Sequence, residues 1–204
     1  MPKLYLASKS PRRREILASM GVTDIALLVS GPMTPGAFAG DEVQFEGEAP
    51  EDYVLRTARE KALQALSRIK AMQLAPTPVL AADTVVILNG DILGKPADKE
   101  EARSFLNRLS GRTHEVRTAV VAGSSEVELL SAVSVSHVHF CPLEPEQIEA
   151  YIATAEPYDK AGGYGIQGLA GLFIDRIEGS YSGIMGLPVF ETGRLLKTLG
   201  VLPL

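Results

Sequence analysis

Cysteine is nearly absent. Cys141 is the only one in 204 residues, which excludes an intramolecular disulfide and a cysteine-built zinc site. Histidine is confined to His114, His137 and His139. His137 and His139 fall on one face of a strand, where paired sheet histidines account for them better than metal ligation does. No apolar run approaches the roughly 18 residues of a membrane span, and no basic, apolar and small-residue leader pattern precedes the first strand. The expectation is a cytoplasmic protein with no membrane partner. Excess positive charge is lacking too: the formal net charge is −5, so the overall field disfavours a nucleic-acid polymer as partner and any anion must be held locally. There is no Gly-x-x-x-x-Gly-Lys loop, which disfavours a P-loop NTPase.

What is present, at the start of the chain, is Leu4-Tyr5-Leu6-Ala7-Ser8-Lys9-Ser10-Pro11-Arg12-Arg13-Arg14-Glu15, an apolar strand running into a helix start crowded with positive charge. Ser10 suits the N-cap and Pro11 the first helical position, so unpaired N–H groups and the positive end of the helix dipole mark an anion site. Arginines there oppose the dipole by a few tenths to about 1 kcal/mol each when exposed. Phosphate or carboxylate would offset that cost through bidentate guanidinium contacts. A solvated surface cluster is the competing reading, and the fan over a helical turn directs only one or two of the three arginines at a common point.

The length suits one α/β domain over residues 1–204. A strand over 3–7 and a helix over 11–20, closed by Gly21, lead to Ser30–Pro50. That segment is rich in Gly, Pro and the acidic residues Asp41, Glu42, Glu46 and Glu48, and reads as an exposed loop. From Glu51 to about Leu74 the spacing of Tyr53, Val54, Thr57, Ala58, Lys61, Ala62, Ala65, Leu66 and Ile69 predicts a long amphipathic helix, with Lys61 near the apolar stripe. A snorkelling lysine stem is the plain explanation. Asp83-Thr84 lies between the apolar runs Val79–Ala82 and Val85–Leu88. Burying an unpaired carboxylate costs several kcal/mol, so Asp83 must be hydrogen-bonded, cation-bound or protonated, unless it simply caps a turn. Asn89-Gly90-Asp91 predicts a hairpin that brings Lys95 back toward the Asp83 region.

Asp98 is placed to cap a helix over Lys99–Leu109. Strands over Thr113–Ala122 and Val127–Phe140 form a hairpin, and a helix follows over Pro145–Thr154. The segment Glu156–Gly168 carries glycines that permit close backbone approach to a ligand, although glycines serve plain turns equally. A strand over Leu172–Ile177 and a helix after Gly186-Leu187-Pro188 complete the chain. Long antiparallel hairpins argue against a simple doubly wound parallel sheet.

Six segments, in order, resemble the Maf nucleotide pyrophosphatases: Ser8-x-Ser10-Pro11-Arg12-Arg13; Ala58-Arg59-Glu60-Lys61-Ala62; Ala82-Asp83-Thr84 with Gly94-Lys95-Pro96; Leu109–His114; Glu156-Pro157 to Gly168; and Gly186-Leu187-Pro188. The resemblance covers nearly the whole chain. It implies an α/β fold like that of the inosine triphosphate pyrophosphatases, an elongated mixed β-sheet flanked by helices with a cleft between two lobes. It also implies hydrolysis of a nucleoside triphosphate between the α and β phosphorus atoms with a divalent cation, Mg²⁺ or Mn²⁺, and within the family the branch acting on dTTP and UTP. Asp83 matches the proton acceptor; Arg12, Thr84 and Gln167 match positions of pyrimidine choice.

On that footing Arg13, Lys61 and Lys95 would neutralise the triphosphate as charge develops on the leaving pyrophosphate. Ser8 and Ser10 would add phosphate contacts. Glu42 and Asp83 would hold the cation, with Asp41 nearly equivalent to Glu42 because Gly31–Ala39 lengthens the preceding segment. Gln167 offers both a donor and an acceptor to the O4/N3 edge of thymine or uracil. Competing expectations are a house-cleaning enzyme for modified pyrimidine nucleotides and a non-catalytic nucleotide-binding regulator of septum formation. The family also implies a homodimer, for which the sequence shows no apolar stripe.

Overall fold

A computed structural model of the protein describes residues 2–28 and 43–202. Asp41 and Glu42, and with them the acidic-ligand assignment, lie outside the described residues. The described strands form a seven-stranded mixed sheet in the order β2-β1-β3-β5-β6-β7, with β4 on β3. Their ranges are β1 (Leu4–Leu6), β2 (Ile25–Leu27), β3 (Val79–Leu88), β4 (Asp91–Leu93), β5 (Thr113–Gly123), β6 (Leu130–Phe140) and β7 (Ile174–Glu178). The helices are α1 (Pro11–Ser19), α2 (Pro50–Ala71), α3 (Lys99–Leu109), α4 (Pro145–Ile152), α5 (Tyr181–Ile184) and α6 (Val189–Thr198). A mixed α/β fold with a sheet and helices is therefore what the chain adopts. Among the described residues no helix is long and apolar enough to cross a membrane.

Two compact units divide the chain. The first comprises Met1–Asp83, Ala119–Val133 and Gly186–Leu204. In it β1 pairs in parallel with β2 (Leu4↔Ile25) and with β3 (Tyr5↔Val79, Leu6↔Leu80). Leu4, Leu6, Leu17, Val54 and Leu80 are fully buried, and the α2 stripe of Ala65 and Ile69 packs on Tyr5 and Val79. α2 begins with Pro50 at its first position, carries Glu51 and Asp52 in its first turn and Arg68 and Lys70 in its last, each complementing the helix dipole. Glu48 of the acidic segment is accounted for here. Its carboxylate takes Arg56 Nε and Nη2 at 2.6 and 2.7 Å, and the guanidinium lies 4.0 Å from the Phe45 ring centroid.

The second unit comprises Thr84–Thr118 and Ser134–Met185. Asn89 and Gly90 adopt φ of 55° and 90°, the left-handed pair that a two-residue antiparallel turn requires, and β3 and β4 pair from Leu88↔Asp91 to Val86↔Leu93. Asp98 caps α3 as expected, its Oδ1 accepting from Glu101 N–H at 2.8 Å. Glu144 and Gln147 form a capping box that starts α4. Phe105, Leu106, Leu109, Phe140, Ile152 and Phe173 form the core together with Tyr151 and Tyr164.

Several elements differ from the sequence reading. β2 was not expected. Val127 belongs to a 3₁₀ turn (Glu126–Glu128) rather than to a strand, and it is exposed. Leu169–Phe173 is 3₁₀ as well, which delays β7 to Ile174. β3 runs unbroken through Asp83 because that carboxylate is paired. His137 and His139 share one face of β6, and each lies beside an acid, Glu115 at 3.9 Å and Asp175 at 2.6 Å.

Candidate active site

In the first unit the strand-to-helix start is built around Ser8, which is buried. Its Oγ accepts from Ser10 N–H at 3.1 Å and from Arg13 Nη1 at 3.2 Å. Arg13 Nη1 also donates to Ala82 O at 2.8 Å, and Nε to Gly186 O at 2.8 Å. Arg13 thus ties the start of α1 to the residue preceding Asp83 and to the glycine of Gly186-Leu187-Pro188. Ser10 occupies the N-cap position with Pro11 after it, but its hydroxyl makes no capping bond. That corrects the reading of Ser10 as a side-chain cap: the turn is closed instead by its N–H on Ser8. Arg12 is half-buried, whereas Arg14 is exposed.

Asp83 is 5% exposed on β3. Its Oδ1 receives Lys61 Nζ at 2.6 Å and its Oδ2 lies 2.7 Å from Thr57 Oγ1. Thr57 and Lys61 are one turn apart on α2, so a single helix face presents a hydroxyl and an ammonium to one carboxylate. This explains why Lys61 sits near the apolar stripe. Thr57 itself passed as one more stripe position in the sequence; the available signal was a hydroxyl four residues before a misplaced lysine. Among the described residues no group of three or more His, Cys, Asp or Glu converges as a metal cluster.

In the second unit Thr84 Oγ1 lies 2.9 Å from Thr118 Oγ1, which donates to Gly183 O at 2.8 Å. A hydroxyl has one hydrogen, so Thr84 is the donor of that pair. Lys95 follows β4 and is exposed; Gln167 is exposed on the loop that precedes Leu169. That loop is held by Glu156, whose carboxylate accepts from Leu169 N–H at 2.9 Å, Ala170 N–H at 3.3 Å and Tyr151 O–H at 3.1 Å. Burial, with Glu156 beside it, pushes the Tyr151 hydroxyl above its ordinary pKa. A Cβ at Gly168 would stand 2.4 Å from the Glu156 carboxyl, so a larger residue there would push that carboxylate away. Beneath the loop His114 Nε2 and Tyr164 Oη are 2.6 Å apart, both buried, with edge-on contacts to Phe140. Desolvation lowers the His114 pKa to about 4, and the neighbouring His139 adds to that.

A sequence model for the family described as Maf-like protein matches residues 3–199. The chain is 53% identical over 200 residues to the dTTP/UTP pyrophosphatase of Bordetella avium, covering 98% of this chain and 96% of that protein. It is 46% identical over 205 residues to the protein of the same name from Dechloromonas aromatica, covering 99% and 100%. Among solved structures it is similar to the Ham1 protein of Staphylococcus aureus at a TM-score of 0.42 and 15% identity, over 67% of this chain and 71% of that one. With the family model matching residues 3–199 and relatives about half identical over nearly the whole chain, the chain belongs to the Maf family.

Proposed function

We propose that this protein is a nucleoside triphosphate pyrophosphatase that hydrolyses dTTP and UTP to the monophosphate and pyrophosphate. The observation that carries the reading is the Asp83 carboxylate, buried yet held on both oxygens, on the strand whose preceding carbonyl is tied through Arg13 to the start of α1. The names of relatives about half identical to this chain supply the substrate class.

In this reading Asp83 accepts a proton from water as the water oxygen attacks the α phosphorus. The bond from that phosphorus to the bridging oxygen breaks, and pyrophosphate leaves with the bond electrons. Ser8, Ser10 and Arg13 bind the phosphates at the α1 start, Arg13 chiefly by fixing Ser8, while Arg12 serves pyrimidine choice. Lys95 answers the charge on the leaving pyrophosphate, while Lys61 is held on the Asp83 carboxylate. Thr84 and Gln167 read the base, Gln167 offering a donor and an acceptor to the O4/N3 edge of uracil or thymine.

A divalent cation, Mg²⁺ or Mn²⁺, belongs to the same proposal. The donor on the described residues is a single carboxylate, Asp83, whose oxygens already accept protein hydrogens. Asp83, with Glu42 as a second protein ligand, would hold a hard cation together with phosphate oxygens. When bound, the cation would neutralise phosphate charge and acidify the attacking water. The test is a panel of dTTP, UTP, CTP, GTP and 7-methyl-GTP with Mg²⁺ or Mn²⁺. Preference for dTTP and UTP supports the reading, whereas turnover confined to purine nucleotides, or no turnover, overturns it.

A further inference from the structure

Thr57 is wholly buried and makes a contact that an ordinary helix threonine does not need. Its Oγ1 lies 2.9 Å from Tyr53 O and 3.1 Å from Val54 O, the usual back-bonding distances of a helix hydroxyl, but only 2.7 Å from Asp83 Oδ2. One hydrogen serves one of these acceptors best. The two carbonyls already have helical N–H partners. Two oxygens 2.7 Å apart require a proton between them, and with the Lys61 ammonium 2.6 Å from Oδ1 the carboxylate is the acceptor. The Thr57 hydrogen therefore goes to Asp83.

We infer that Thr57 is a positioning residue for the reaction: with Lys61 on the other oxygen, its hydroxyl stops the Asp83 carboxylate from turning about Cβ–Cγ and aims the remaining lone pairs at the attacking water. The inference rests on Asp83 being the proton acceptor, as proposed above. A carboxylate held at one oxygen swings; one held at both does not.

The test compares Thr57→Val, Thr57→Ser, Asp83→Asn and the Thr57→Val/Asp83→Asn double variant, with UTP and Mg²⁺ and with thermal melting as the folding control. Thr57→Val is predicted to lower kcat about tenfold or more while KM stays within about twofold, the loss expected when a hydrogen bond to a charged group made in the reacting state is removed. Thr57→Ser should restore kcat to within about threefold, and the double variant should be no slower than Asp83→Asn alone, as residues acting as a unit require. Should Thr57→Val not fold, Thr57→Ala against Thr57→Ser gives the same comparison. The inference is overturned if Thr57→Val turns over normally while Asp83→Asn does not, if serine is as slow as valine, or if the two effects simply multiply. Normal turnover by Asp83→Asn would instead overturn the assignment of Asp83, and this inference with it.

Discussion

Lys61 Nζ stands 2.6 Å from Asp83 Oδ1, with the two side chains 17% and 7% exposed. A lysine beside an apolar helix stripe and an aspartate between two apolar strand runs are thus one feature of the structure. Each answers the other's charge across α2 and β3.

Breaking a buried pair by removing one partner costs about 3–5 kcal/mol, because the remaining charge is left buried. Lys61→Met should lie toward the lower end of that range, since its ammonium is partly exposed and Thr57 still serves Asp83. In urea denaturation Lys61→Met and Asp83→Asn should be non-additive by roughly 1–3 kcal/mol. Strict additivity would show that the pair makes no net contribution to stability.

The buried pair of His114 and Tyr164 predicts a pH dependence of stability. The folded protein holds His114 neutral down to about pH 4, while in the unfolded chain it takes a proton near 6.5. Between those values the unfolded state binds the extra proton, so stability is full above pH 6.5 and is lost as pH falls toward 4. The depression corresponds to roughly 3 kcal/mol. His114→Gln should remove that slope from urea midpoints measured between pH 4 and 7, and an unchanged slope would contradict the assignment.

Helix capping separates two residues that look alike in sequence. Asp98 caps α3 through Oδ1, so Asp98→Ala should cost about 1 kcal/mol. Ser10 has no capping bond, so Ser10→Ala should cost at most a few tenths of that amount. If Ser10 instead meets phosphate, its alanine variant raises KM for UTP without lowering the melting temperature.

Gly168→Ala places a Cβ 2.4 Å from the Glu156 carboxyl. The carboxylate can yield only by releasing Leu169 N–H and Ala170 N–H. The expected loss is roughly 2 kcal/mol, from hydrogen bonds to a charged acceptor. Because Gln167 is the adjacent residue, discrimination between UTP and CTP should fall as well. A variant with normal melting and unchanged discrimination would show that Glu156 does not hold this loop for base selection.

Features set by neighbouring residues were legible in the sequence. Pro11 opens α1, Asn89-Gly90 turns the β3–β4 hairpin, and Asp98 caps α3, because each depends on a few consecutive residues. Asp83 could be read as needing a partner, since the cost of a buried carboxylate is general. Which partners it has could not, because Thr57 and Lys61 reach it only through the packing of α2 on β3. The same holds for Arg13, two of whose acceptors lie on Ala82 and Gly186. Glu156 is likewise tied to residues beyond its local segment, its carboxylate taking N–H groups more than ten residues onward. The short β2 and the 3₁₀ turns carry too few residues for any periodicity to form.

The most direct test resolves the products of UTP hydrolysis by the wild-type protein and by Asp83→Asn, with Mg²⁺. The account predicts UMP and pyrophosphate from the wild type and turnover lower by about 100-fold or more in the variant, the scale of losing a general base. UDP and phosphate as products would contradict the cleavage at the α phosphorus, and an Asp83→Asn protein as fast as wild type would contradict the role of Asp83.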